Sequence, residues 1–210
     1  MKQVFRLDGP IFQMMNRIGD LVVLNLLCLF FCIPIITMGA SFQAMDQVLI
    51  KLNRGEEPKI IRTFFNAFRN SFFQSTKVWL FFLICGIVLA ADLLLSQSMK
   101  PPFQKIFFYL SGCGSILLFG IWLYVFVLVA RFENTMKQTI KNGLFLSIAH
   151  GPRTIGMILC WMIPIVVASM KPVLLLYTIL FMLLIGVALL RSVNIRIIDK
   201  IIVDLEGGKQ

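Results

Sequence analysis

Charge is what this chain has least of. Only 14% of its 210 residues are Asp, Glu, Lys or Arg, against about 25% in soluble domains. Acids are the scarcer sign, ten against 20 Lys and Arg. From Leu21 to Met45 no side chain is charged at all. Such a run is long enough to cross the roughly 30 Å hydrocarbon core of a bilayer at 1.5 Å per residue. Histidine occurs once, as His150. The patterns GxSxG, HExxH and GxxxxGKS/T are missing, which removes the usual signatures of serine hydrolases, zinc proteases and P-loop enzymes. No catalytic constellation is visible, so we expect a non-enzymatic protein with no cofactor.

Cysteine is present but not arranged for chemistry. The five residues Cys28, Cys32, Cys85, Cys113 and Cys160 all lie in apolar runs, and there is no CxxC. Cys28 and Cys32 share a helix face, yet no His or further Cys completes a metal site. They read as small packing residues, and no metal is expected. The N-terminus also lacks the form of a cleavable signal. Asp8, Gly9, Pro10 and Asn16 interrupt what would be its apolar region, so we expect it to be retained.

What is there is hydrocarbon. The chain is 59% hydrophobic, with mean hydropathy +0.88. Its net charge of +10 sits in loops, as expected for cytoplasmic loops of a membrane protein. No basic run interleaved with aromatics appears outside those loops, so no nucleic-acid partner is expected. The expected fold is an all-α integral membrane protein in one domain, residues 1–210. It has about five transmembrane helices and two or three amphipathic interfacial helices, with the lipid bilayer as solvent.

The spans are expected near 20–36, 78–95, 106–130, 154–170 and 173–190. A short lead-in helix starts at Pro10, a favoured first helical position. Pro34 predicts an end or kink in the first span. Interfacial helices are expected near 42–53, 59–77 and 131–150. The first places Phe42, Met45, Leu49 and Leu52 on one face, while Asp46 and Lys51 make it a poor spanner. The second sets Ile61, Phe64, Phe65, Phe68, Phe72 and Phe73 against Arg62, Asn66, Arg69, Asn70 and Gln74. The third ends at Gly151-Pro152. Gly112 and Gly114 permit close helix approach. Residues 68–75 and 140–147 echo each other, each ahead of a membrane hairpin, and suggest two related units.

Lys and Arg counts favour five spans with the N-terminus outside and the C-terminus cytoplasmic, which puts fourteen inside and six outside. If Leu21–Ser41 re-enters instead of crossing, four spans remain and both ends are cytoplasmic.

Acids inside spans are costly and mark candidate sites. Asp20, Asn25 and Asp92 form the candidate polar membrane site, with Asp92 also able to pair with Lys100 or Lys105, or to serve as an interfacial acid. Glu133 beside Arg131 reads as a juxtamembrane ion pair. His150 reads as a cation suited to a helix end.

Several stretches together carry a family resemblance: Asn16-Arg17-Ile18-Gly19-Asp20, Leu24-Asn25-Leu26, Ile33-Pro34-Ile35-Ile36-Thr37-Met38-Gly39-Ala40-Ser41, Ala44, the Asn53–Glu57 turn and Phe64–Phe73. The chain resembles the YesL family of bacterial integral membrane proteins, whose domain is one of unknown function. Cys28 stands where such families often have Trp. The resemblance makes Gly19, Pro34, Thr37 and Gly39 structural motif positions. It implies a plasma-membrane role tied to saccharide uptake, with transporter subunits as possible partners, and it supplies no reaction or ligand residue. The leading expectation is an accessory to a carbohydrate transporter. The alternatives are a small transporter or channel with a polar path near Asp20, Asn25 and Asp92, and a membrane sensor linked to a two-component system. Oligomeric state is left open.

Overall fold

The computed structural model describes residues 10–98, 100–132 and 134–207. The described residues contain helices and no strand. The helices are α1 (Pro10–Cys32), α2 (Met38–Asn53), α3 (Ile60–Ser96), α4 (Phe103–Arg131), α5 (Met136–Ala149), α6 (Gly151–Met170), α7 (Pro172–Phe181) and α8 (Val187–Gly207). A 3-10 turn, Ile35–Thr37, joins α1 to α2, and a π segment, Met182–Gly186, joins α7 to α8. Five stretches are long and apolar enough to cross a membrane: Met15–Cys32, Ile60–Ser96, Phe103–Arg131, Gly151–Met170 and Pro172–Asp204. This is a multi-pass membrane protein.

Several expected boundaries move. The lead-in helix and the first span are one helix, because nothing between Pro10 and Cys32 breaks the backbone ladder. That helix stops two residues before Pro34, which cannot continue the ladder. The expected interfacial helix at 59–77 and span at 78–95 also fuse into α3, 37 residues long, since no proline or glycine intervenes before Gly86. At about 55 Å, α3 exceeds the hydrocarbon thickness and must run obliquely or leave it. The stretch 131–150 becomes a helix only from Met136. The span expected at 173–190 does not stop there but continues through the π segment into α8 as far as Gly207. The N-terminal stretch 1–9 and Glu133 lie outside the described residues.

The largest correction concerns 42–53. It is not an interfacial helix with one face free: α2 is the buried centre of the bundle, with ten of its 16 residues inside, Gln43 and Asp46 among them. α1, α3, α4 and α8 all pack on it. Its approach to α3 depends on Gly39, where a methyl group would sit 2.5 Å from the Ser75 carbonyl oxygen. Gly143 plays the same part between α5 and α4, facing Val125. Gly114 meets Leu89, whereas Gly112 is open and makes no close helix approach.

The α1–α2 turn is held by three side chains. Thr37 Oγ1 donates to Phe31 O at 2.6 Å and to Pro34 O at 2.9 Å, satisfying carbonyls that the broken helix leaves free. Ser41 Oγ donates to Cys28 O at 2.8 Å. Trp79 Nε1 reaches from α3 to Ile35 O at 2.7 Å. Thr37, Pro34 and Gly39 thus each have a structural task. Gly19 has none visible, since a methyl group there meets nothing within 4 Å.

Candidate functional site

α2 and α8 bring together two charges that the sequence separates by 145 positions. Arg191 Nε donates to Asp46 Oδ1 at 2.8 Å, and Arg191 Nη2 donates to Asp46 Oδ2. Both side chains are 0% exposed. A planar guanidinium meeting a carboxylate with two parallel bonds is the strongest ion-pair geometry available to side chains. The guanidinium also lies over the Trp122 ring of α4, with Cζ 5.0 Å from the centroid. Phe42 packs edge-on against that ring, and Phe119 stacks on it. The pair is therefore sealed by aromatics and neutral as a unit, the form in which a charge can be held away from water.

Polar neighbours extend this pair along α8. Asn25 of α1 faces the π segment, where the widened turn shifts backbone groups off their usual partners. Its Nδ2 donates to Met182 O at 3.0 Å and to Leu183 O at 2.7 Å. Its Oδ1 accepts the Ala188 N–H at 2.9 Å. One side chain so closes three backbone groups that hydrocarbon would leave unmatched. Farther along, Asn53 Nδ2 donates to Ser192 O at 3.2 Å, Arg131 Nη1 donates to Asp199 Oδ1 at 2.7 Å, and Arg153 meets Asp204 at 3.4 Å. Arg191 Nη1 and both amide atoms of Asn194 are buried without a hydrogen-bond partner among the described residues.

The three residues expected to form a polar path do not meet. Asp20 sits midway along α1, within electrostatic reach of Glu57. Asp92 lies far along α3, about 48 Å from Ile60 at 1.5 Å per residue. It is half-buried and pairs with neither Lys100 nor Lys105. Asn25 is engaged with the π segment and not with an acid. Among the described residues no hydrogen bond or ion pair joins Asp20, Asn25 and Asp92 to one another. His150 does stand at a helix junction, between α5 and α6. Among the described residues no three His, Cys, Asp or Glu side chains gather as metal ligands. Cys28 and Cys32 have their sulfurs 4.0 Å apart, and neither is in a disulfide.

Sequence reasoning missed Asp46 and Arg191. The signal was available: Asp46 follows Ala44-Met45 and Arg191 follows Leu189-Leu190, each a charge at the end of an uncharged run, and the two have opposite sign. Asp46 argues only that α2 is a poor spanner, and Arg191 falls just past the span expected at 173–190.

Residues 21–93 match a family model described as "Protein of unknown function, DUF624". The matched stretch covers the second half of α1, the Thr37 and Gly39 turn, α2 with Asp46, and most of α3. Arg191 lies outside it. No curated protein and no solved structure matches the chain.

Proposed function

We propose that this is a non-enzymatic, multi-pass protein of the bacterial plasma membrane, accessory to carbohydrate uptake by a transporter system. The observation that carries this reading is the use of the buried polar groups. Asp46, Arg191 and Asn25 are engaged with one another's helices inside the bundle, so what the molecule offers a partner is its surface. The saccharide connection rests on the resemblance to the YesL family. Copurification tests it. Tagged protein from sugar-induced cells is expected to bring down a permease or binding-protein subunit. Its consistent recovery alone would refute the accessory role.

In this reading both chain ends are cytoplasmic. Asp20 and Glu57 share one end of the α1–α2 hairpin, so Leu21–Ser41 dips in and α2 returns through protein instead of lipid. α3, α4, α6 and the α7–α8 rod then cross. Of the chain's 20 Lys and Arg, Lys100, Lys105 and Lys171 alone would face outward, a stronger inward bias than the N-out arrangement gives. Single cysteines at 57, 100 and 171 in a cysteine-free background are expected to label from the inside, the outside and the outside.

A second reading, a small transporter or channel, is favoured by one observation. A buried charge pair stands beside a π segment, and both features recur at working sites in membrane proteins. Here Asp46→Asn should alter flux in proteoliposomes, and wild-type vesicles that pass no sugar or ion end the idea.

A further inference from the structure

Two sets of cations contrast in this chain. Arg131, Arg153 and Arg191 pair with Asp199, Asp204 and Asp46. Arg62, Arg69 and Lys77 on the first half of α3 are exposed and have no acidic partner among the described residues. Their spacing sets them on about 80° of the helix surface at 3.6 residues per turn. No Asp or Glu occurs between Pro58 and Ala91, so nothing on the same helix neutralises the stripe.

Aromatic and aliphatic side chains border it lengthwise. Ile61 and Phe65 are exposed along one side, next to Phe31 of α1, and Phe73, 78% exposed, stands within the stripe itself. α5 repeats the composition independently: Lys137 and Lys141 are exposed, followed by exposed Phe145 and Ile148, again with no acid in the helix. Gln74 Nε2 donates to Asn134 O at 2.6 Å, which fastens the approach to α5 beside the stripe. A helix whose basic and apolar faces meet along its length is suited to the boundary between headgroups and acyl chains. An acidic protein partner needs the charges but not the apolar border.

We propose that the Arg62–Arg69–Lys77 stripe of α3, joined by Lys137 and Lys141 of α5, is a binding surface for anionic phospholipid headgroups. The guanidinium groups hold phosphate oxygens by charge-assisted bonds, while Phe65 and Phe73 seat among the acyl chains. This is independent of the transporter-accessory role.

The test uses full-length protein in mild detergent, offered phosphatidylglycerol or phosphatidylcholine and read by native mass spectrometry. Wild type is expected to retain phosphatidylglycerol over phosphatidylcholine and to lose it at high salt. Each basic side chain near an anionic surface contributes about fivefold, so the triple change Arg62→Gln, Arg69→Gln, Lys77→Gln is expected to weaken retention by roughly 100-fold. Because all three positions are exposed, melting should hold. The charge-keeping Arg62→Lys, Arg69→Lys pair should retain lipid, and Lys100→Gln with Lys105→Gln should change nothing. Equal retention of the two lipids by wild type overturns the proposal, as does full retention by the triple variant. Capture of an acidic peptide without lipid preference also overturns it and gives the stripe to a protein.

Discussion

α2 and α7 make an instructive pair. α7, Pro172–Phe181, contains no charged side chain, and none of its residues is buried. α2 carries Gln43, Asp46 and Lys51, and most of it is buried. In a water-soluble protein the order would be reversed. In hydrocarbon an apolar face gains nothing by turning inward, since lipid tails are as apolar as leucine. Polar groups gain everything, because only protein can match them. Position in this bundle therefore follows the demand for hydrogen-bond partners. α2, whose buried Gln43 and Asp46 can be matched only by protein, lies in the middle.

The sharpest way to break that contrast is to spoil the matching on α2. Asp46→Leu leaves Arg191 buried without its carboxylate, and a loss of about 3–5 kcal/mol in detergent unfolding is expected. A smaller loss, about 2–3 kcal/mol, is expected for Asn25→Leu, which strands two carbonyls and one N–H at the π segment. Gly39→Ala forces a methyl against the Ser75 carbonyl and should cost about 1–3 kcal/mol. Gly112→Ala, on an open face, should leave melting unchanged. Trp79→Phe removes the single bond to Ile35 O, about 1 kcal/mol. Changes on the α7 side should be as small as Gly112→Ala: Tyr177→Phe alters an exposed side chain and should shift melting by less than about 0.5 kcal/mol. Were Tyr177→Phe to exceed Asp46→Leu, the contrast would fail.

Much of this was legible in the sequence, and for the same reason. Apolar runs report contact with lipid, so the long apolar helices and the all-helical class could be read from the uncharged Leu21–Ile36, Ile106–Ala130, Thr154–Met170 and Val173–Leu190 and from Val78–Leu95, whose one charge is Asp92. Pro34 marked the end of α1, and Thr37 and Gly39 marked its turn. What hydropathy cannot report is which polar residues face each other. Asp46 looks the same whether it meets water or an arginine, and Arg191 at the end of an apolar run looks like a loop charge. The acids that stood out, Asp20 and Asp92, did so because they interrupt apolar runs, whichever groups they face in the fold. Helix continuity was the other blind spot. Lys77 ends the amphipathic pattern of α3 without ending the helix, since a change of solvent along a rod does not break its hydrogen bonds.

The central claim is that Asp46 and Arg191 brace α2 to α8 as one neutral unit inside the bundle. A double-mutant cycle measures it directly. Asp46→Leu and Arg191→Leu should each destabilise the protein strongly, and the combined variant should melt close to wild type because no lone charge remains. Single variants that melt like wild type, or losses that simply add in the double, would contradict it.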